Sequence, residues 1–334
     1  MPILIAGTSL VDFPDSFSGA GPTVDTTNPA WFDDDYVSRG IAVEGSSTSG
    51  AVAYHCDGPV DDLWVHCTLR TPDVSTGLSS AQSTRLGFYD EDNSLVARLA
   101  RTGSSIAQLE AYGDSTAESA GISATTYAGT TPFRFSARVQ VTETTVTITT
   151  YVDGGMVDTV TATTATKRKS PVRFELRQPY TNNSRTVVFS EIIVTDGVDP
   201  RDMRVKEAAL NPAAGHYDQM SGARADLVDH DETTFMRASA VGQRVSLESA
   251  FPAFVGTPAV RGLVINSRAG YESGPANALA GFVRRAGTDF DAPFQTVDMW
   301  GRKTFVMEND PGTSAPWDPA GLDDIEIGIL AGAA

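Results

Sequence analysis

The sequence predicts an all-β protein built as two β-sandwich, jelly-roll-like domains in series. Three observations carry that expectation. Apolar residues recur at every second position wherever a pattern is clear, turn-forming clusters interrupt the runs at short intervals, and helix signals are sparse.

The clearest alternation lies mid-chain, where Phe133, Phe135, Ala137, Val139 and Val141 form one side while Arg134, Ser136, Arg138 and Gln140 form the other. A slip of one residue would bury two arginines, so the register of this strand is strongly specified. Residues 145–152 follow, rich in Thr and Val, and end at Asp153-Gly154-Gly155 before a second β-prone run at 156–163. That is a hairpin whose turn depends on glycine. Val65, Cys67 and Leu69 alternate in the same way, as do Val172, Phe174 and Leu176, and residues 187–194 make a more continuously apolar strand. The best helical candidate, 202–210, is short, contains β-branched Val205 and stops at Asn211-Pro212, so it reads as strand or extended chain. Residues 319–324 suit one helical turn before Ile325, Ile327 and Ile329 alternate as a closing strand.

A chain of 334 residues has room for two domains. With 41% hydrophobic and 20% charged residues it belongs with folded chains rather than disordered ones. The turn formers Thr195-Asp196-Gly197-Val198-Asp199-Pro200, placed directly after an apolar strand, mark a joint, giving domains at 1–198 and 199–334. The net charge of -17 and pI near 4.5 repel phosphate backbones and anionic headgroups, which argues against a nucleic-acid partner. The acidity is spread in short clusters such as Asp33-Asp34-Asp35 and Asp323-Asp324, so no acidic arm is implied. The N-terminus has no basic leader and soon meets Asp12 and Asp15, unlike a signal peptide. No apolar run approaches the length of a spanning helix, and no membrane insertion is expected.

Tests for chemistry return little. Cys56 and Cys67 cannot build a disulfide framework; they read first as buried small hydrophobes, with a mutual disulfide or a metal site as alternatives. His55 and His66 each neighbour a cysteine, but adjacent strand residues point to opposite faces, so the pairs do not converge on one ion. The nucleophile elbow, the P-loop and the dinucleotide fingerprint are absent. A polysaccharide-cleaving sandwich needs two opposed carboxylates; no strand carries an E-x-D-x-x-E triplet, and Glu308-Asn309-Asp310 is the nearest approach. Asp33 to Asp35, or Asp90, Asp92 and Asn93, supply oxygen ligands of the type calcium prefers, but neither set has full ligand spacing, and a hairpin turn explains the second equally well. No catalytic, cofactor-binding or metal residue is assigned. Trp31, Tyr36 and Tyr180 are the candidate glycan or interface contacts, and Asn182 heads the single glycosylation sequon.

Four blocks in the second half carry a resemblance. They are Val228-Asp229-His230-Asp231-Glu232-Thr233-Thr234-Phe235 with Ala240-Val241-Gly242; the strand Val260-Arg261-Gly262-Leu263-Val264-Ile265-Asn266-Ser267-Arg268-Ala269 after Gly256-Thr257-Pro258; the turn Ala286-Gly287-Thr288-Asp289-Phe290-Asp291; and Glu308-Asn309-Asp310-Pro311 through Pro316-Trp317-Asp318 to Gly321-Leu322. With the closing strand Ile325-Glu326-Ile327-Gly328-Ile329, they make the region from about 203 to 334 resemble a β-sandwich domain of tailed-bacteriophage virion structural proteins. This copy departs in having Ala286 where a glycine or serine is usual, and in an insertion-like Gly274-Pro275-Ala276-Asn277. Residues 12–195, through Asp15-Ser16-Phe17, Arg85-Leu86-Gly87-Phe88, the hairpin after Tyr151 and the 189–194 strand, resemble a concanavalin A-like jelly roll.

The resemblance implies a non-enzymatic virion protein, a tail fibre or baseplate-attached appendage on the particle surface, serving assembly and host-surface glycan contact. Its expected partners are other tail or baseplate proteins, host surface polysaccharide and copies of itself, a trimer being favoured by particle symmetry. A capsid decoration protein and a glycan-degrading tailspike-like enzyme are the alternatives.

Overall fold

The structure is a computed structural model that describes residues 3–9, 12–13, 23–33, 35–44, 51–71, 83–101, 106–114, 117–123, 129–177, 186–229, 233–251, 253–254, 258–297, 300–323 and 325–334. Among them the helical elements are short 3-10 turns, and everything else regular is strand. The chain divides into two compact units, Pro2–Val205 and Lys206–Ala334.

The first unit contains β1 (Ile3–Gly7), β2 (Thr23–Thr26), β3 (Gly40–Glu44), β4 (Ala51–His55), β5 (Asp62–Thr71), β6 (Ser83–Tyr89), β7 (Leu95–Arg101), β8 (Ile106–Tyr112), β9 (Ala117–Ser123), β10 (Gly129–Val141), β11 (Thr145–Val152), β12 (Gly155–Thr163), β13 (Arg173–Arg177) and β14 (Thr186–Asp196). One antiparallel sheet runs β12-β11-β10-β5-β14-β3-β2, with β1 also on β14; the other runs β4-β13-β6-β7-β8-β9. The alternation puts Val65, Cys67, Leu69, Phe135, Ala137 and Val139 of the first sheet and Leu86, Phe88, Leu99, Leu109, Phe174 and Leu176 of the second into one buried cluster. Two sheets sharing one core in this way are a β-sandwich. A cavity of about 20 Å³ lies within it among Leu69, Leu86, Leu99, Phe135 and Leu176, room for one water and lined by apolar atoms, hence a dry packing void and no ligand pocket. The β11–β12 turn places Asp153 at φ 48° and Gly154 at φ 81°, the left-handed pair that a two-residue hairpin requires.

β14 is less regular than its apolar sequence suggests. Ser190 pairs with Thr68 and Ile193 with His66, so Glu191 and Ile192 together face Cys67 in a β-bulge. Glu191 sits at φ 49° and sends its carboxylate to the outer face of the sheet, although it is only 1% exposed. There Thr68 Oγ1 donates to it at 2.7 Å and Arg204 Nε at 2.7 Å, while Arg204 Nη2 also reaches Asp33 at 2.6 Å. Arg134 donates to the carbonyls of Arg201 and Met203. These bonds hold residues 199–205 on the first unit, a few positions past the turn cluster at 195–200. Beside them His66, 1% exposed, shares a 2.8 Å hydrogen bond with Ser136 Oγ.

The second unit contains β15 (Ala209–Asn211), β16 (Arg244–Ala250), β17 (Leu263–Ala269), β18 (Ala278–Arg285), β19 (Thr288–Asp291), β20 (Gln295–Thr296), β21 (Gly301–Met307) and β22 (Ile325–Gly332). Its main sheet runs β15-β16-β22-β18-β19, with β20 on β18, and β17 pairs with β21 as a two-stranded ribbon. Leu263, Ile265 and Phe305 of the ribbon bury with Leu279, Val283 and Ile325 of the sheet. Ala280, Phe282 and Leu330 form a smaller cluster that Tyr217 packs against. Residues 202–208 form no helix, and the turn expected at 319–324 is a 3-10 turn at Pro319–Leu322, capped by Asp318 accepting from the Ala320 amide at 3.1 Å.

Two predictions follow from this packing. The β18–β19 turn places Ala286 at φ 49° ahead of Gly287 at φ 83°; a Cβ there costs about 1–2 kcal/mol, only part of which a flexible replacement gives back. Ala286→Gly or Ala286→Asn is therefore expected to stabilise by about 0.5–1 kcal/mol, seen as a higher thermal unfolding midpoint; a fall would contradict the turn geometry. Burial, reinforced by the Arg134 and Arg204 charges, lowers His66 from 6.5 to about 3. Between those pH values the unfolded chain binds a proton that the folded chain refuses. Stability is thus unaffected by this group above 6.5 and falls as pH drops toward 3, by about 5 kcal/mol in all. Denaturant titrations of His66→Gln should show a shallower loss over that window than the parent.

Candidate functional site

On the second sheet of the first unit, the face turned away from the core is polar. In β13, Phe174 and Leu176 point inward, so Arg173, Glu175 and Arg177 point outward; in β7 and β8 the same alternation turns out Arg98, Glu110 and Tyr112. Pairing then lines them up: Glu175 lies opposite Gly87, Gly87 opposite Arg98, and Arg98 opposite Glu110. Four adjacent strands thereby carry one continuous row.

The row is closely bonded. Glu110 Oε2 accepts from Arg98 Nε and from the Tyr112 hydroxyl, both at 2.6 Å. Glu175 Oε2 accepts from Arg177 Nε at 2.7 Å, and its other oxygen lies 3.2 Å from Arg173 Nη2. Arg173 also lies over the Tyr89 ring at 4.5 Å and donates to Asn93. Gly87 makes room for Tyr89, since a Cβ there would stand 2.8 Å from the ring. Both glutamates are almost fully buried, at 3% and 2% exposure, whereas the arginines are partly open.

The electrostatics follow from burial and pairing. Burial pushes the Tyr89 hydroxyl up, and the Glu175 charge adds to it; burial and then the Glu110 bond do the same to Tyr112. Burial alone would weaken the Arg98 charge, but the bond to Glu110 together with the Tyr112, Glu110 and Tyr89 charges outweighs it and holds the guanidinium more firmly protonated. Three arginines against two glutamates leave the row one positive charge, 3 − 2 = +1, in a chain of net charge -17. It offers fixed guanidinium N–H donors and phenol rings, which suits hydroxyl and carboxylate recognition.

The residues singled out from sequence lie elsewhere. Trp31 ends a 3-10 turn capped by Asn28, and the Arg70 guanidinium stands 5.1 Å over its ring. Tyr36 is half-buried with Arg204 3.4 Å over its ring, so an arginine occupies one face of each. Tyr180, Asn182, Asp34, the 15–17 segment and residues 230–232 lie outside the described residues. Asp90 accepts from the amides of Asp92 at 3.0 Å and Ser94 at 2.8 Å, with Asn93 at φ 62°, which is a hairpin turn. Cys56 and Cys67 are free thiols; Cys67 is fully buried in the core, with its thiol pushed up by burial, and Cys56 packs at the core's margin. His66 and Cys67 do face opposite sides of β5.

In the second unit the motif blocks are structural joints. Asp289 accepts from Tyr217 and Arg284 at 2.6 Å each, Asp291 takes a two-pronged pair from Arg244 at 2.7 and 2.8 Å, Asp310 pairs with Arg285, and buried Trp317 donates to the Met307 carbonyl at 2.7 Å.

No family model matches the sequence. The comparison with curated proteins also returned no match. Solved structures align with it at low similarity. The botulinum neurotoxin serotype G binding domain aligns over 94% of this chain and 87% of its own, at 9% identity and a TM-score of 0.38. The binding domain of Paraclostridial Mosquitocidal Protein 1 aligns over 59% of this chain and 50% of its own, at 11% identity and 0.38. A cellulose induced protein, Cip1, aligns over 55% and 88%, at 16% identity and 0.36. TM-scores this low carry no argument about a site, so function rests on this chain's own side chains.

The row is not legible in any one strand because its members come from four; the alternating charges of Arg173, Glu175 and Arg177 are its visible trace in the sequence. Removing one partner should expose how tightly it is coupled. Arg98→Met leaves Glu110 buried without its cation and is expected to cost about 3 kcal/mol, whereas Arg98→Met with Glu110→Gln should recover much of that loss. Equal losses in both, measured by denaturant unfolding, would mean the pair is not coupled.

Proposed function

We propose that this protein is a non-enzymatic component of a tailed-bacteriophage particle, a tail fibre or baseplate-attached appendage, whose first unit contacts host-surface glycan through the arginine–glutamate–tyrosine row. The observation that carries the binding role is that both carboxylates of the row are already committed to guanidinium groups. A glycosidase needs carboxyl groups open to the leaving oxygen and to the sugar carbon, and here both are bonded to neighbouring arginines instead. Glu110 and Glu175 also stand three strands apart, about 14 Å of sheet, beyond the roughly 5–9.5 Å that either hydrolytic geometry uses. Such a surface holds a sugar better than it cuts one. The particle setting draws on the sequence blocks of the second unit, of which Asp289, Asp291 and Asp310 supply the acidic halves of internal ion pairs.

Labelling intact phage particles with antibody against the purified chain is expected to mark the tail or baseplate. Label on the head would replace the appendage with a decoration role, and absence of the chain from particle mass spectra would end the proposal. Incubation with host-surface polysaccharide is expected to release no reducing ends; release that disappears in Glu110→Gln or Glu175→Gln would make the row catalytic.

A further inference from the structure

We infer that the second unit carries a separate sugar-stacking platform, formed by Trp300, Phe235 and Tyr271 and rimmed by Arg237 and Glu272. This goes beyond the row on the first unit and does not depend on the particle assignment.

The rings are exposed where comparable side chains are not. Trp300 is 50% exposed, Phe235 41% and Tyr271 37%, whereas Trp317 and Phe305 of the same unit are at 3% and 2%. They are also assembled rather than scattered. Ala269 at the end of β17 pairs with Gly301 at the start of β21, so Gly270, Tyr271 and Trp300 leave one end of the ribbon together. A Cβ on Gly270 would lie 2.7 Å from the indole, which means the Trp300 ring rests directly on the glycine. Phe235 meets Trp300 edge to face, with centroids 5.8 Å apart and planes at 66°. The Tyr271 hydroxyl is tied to the Gly274 carbonyl at 2.8 Å. Arg237 stands 5.7 Å over Phe235 and donates to Glu272 at 3.1 Å, and its own backbone is fixed by the two-way bridge with Ser221.

Such a surface is preorganised and has a specific chemistry. The underside of a pyranose ring is a patch of C–H groups that stacks on an aromatic face, and its edge is a ring of hydroxyls. Here the faces are aromatic and the rim offers a donor, Arg237, beside an acceptor, Glu272, whose charges cancel. That balance, in a chain of net charge -17, favours an uncharged sugar over an acidic one. Size argues the same way. At these exposures three aromatic side chains present roughly 250 Å², well short of the roughly 800 Å² per partner that a stable protein interface buries, but sufficient for one or two sugar rings.

The test is native electrophoresis of the full chain through gels containing, separately, mannan, galactan, xylan, soluble glucan or a polyuronate, followed by titration of any binder by tryptophan fluorescence. At least one neutral polysaccharide should retard the parent protein. Trp300→Ala should weaken that binding on the order of tenfold or more, Trp300→Tyr should retain part of it, and Val241→Ser, which alters an apolar residue 51% exposed, should leave it unchanged. Unchanged thermal unfolding of Trp300→Tyr confirms that the loss is not one of folding. The inference is overturned if none of the neutral polysaccharides retards the parent, if retardation survives Trp300→Ala, or if only the polyuronate binds. It is equally overturned if Trp300→Ala converts an oligomer to a monomer in sedimentation, which would make the patch a contact between copies. None of these outcomes bears on where the protein sits in a particle.

Discussion

Among the described residues, four of the five buried carboxylates are matched by guanidinium groups, and much of the polar architecture depends on that pairing; the fifth, Asp90, is held by the amides of its own turn. Glu191 with Arg204, Glu110 with Arg98, Glu175 with Arg177 and Asp310 with Arg285 follow that pairing, and the more open Asp289 and Asp291 take the same kind of partner in Arg284 and Arg244. Of 25 basic residues four are lysines, Lys167, Lys169, Lys206 and Lys303, leaving 25 − 4 = 21 arginines. The bias has a physical reason: a planar fork satisfies a desolvated carboxylate with parallel hydrogen bonds, which a compact ammonium cannot do. The lysine contacts are of the other kind. Lys169 reaches Glu91 and Asp92 with every partner half-exposed or more, where water screens the attraction and little stability results.

The same pairing serves different ends in the two units. In the first it runs as a row across neighbouring strands and fixes an outward polar surface, while Arg204 and Glu191 fasten the segment after β14 to the outer face of the other sheet. In the second it pins turns and the loop carrying Tyr217 to the sheet. Arginines over aromatic faces recur in both, at Tyr36, Tyr89 and Phe282, adding cation–π attraction to the ion pairs.

Much of the fold was legible in the sequence because period-two alternation is a local signal. Residues 133–141, the Asp153-Gly154 turn, the short turn at Pro319–Leu322 and the closing strand can be read without knowing any partner. Strand order and register are not local, and that is why the row escaped notice: Glu110 and Glu175 share a face only after β13, β6, β7 and β8 are paired. The bulge at Glu191 hid within a run of apolar letters, since one extra residue shifts which positions face the core without changing their composition. Trp31 and Tyr36 stand out in sequence as aromatic residues able to stack on sugar or anchor an interface, but the arginines that cover them come from positions 70 and 204. Trp300, Phe235 and Tyr271 are separated by dozens of residues, and only the fold brings Phe235 onto Trp300 and sets Tyr271 at the same end of the ribbon.

The free thiols have a consequence of their own. With Cys67 sealed in apolar surroundings and Cys56 at the margin, no covalent cross-link between them contributes to cohesion. The sandwich is held by packing, backbone hydrogen bonds and ion pairs, so its cohesion does not wait on an oxidising medium to close a cross-link.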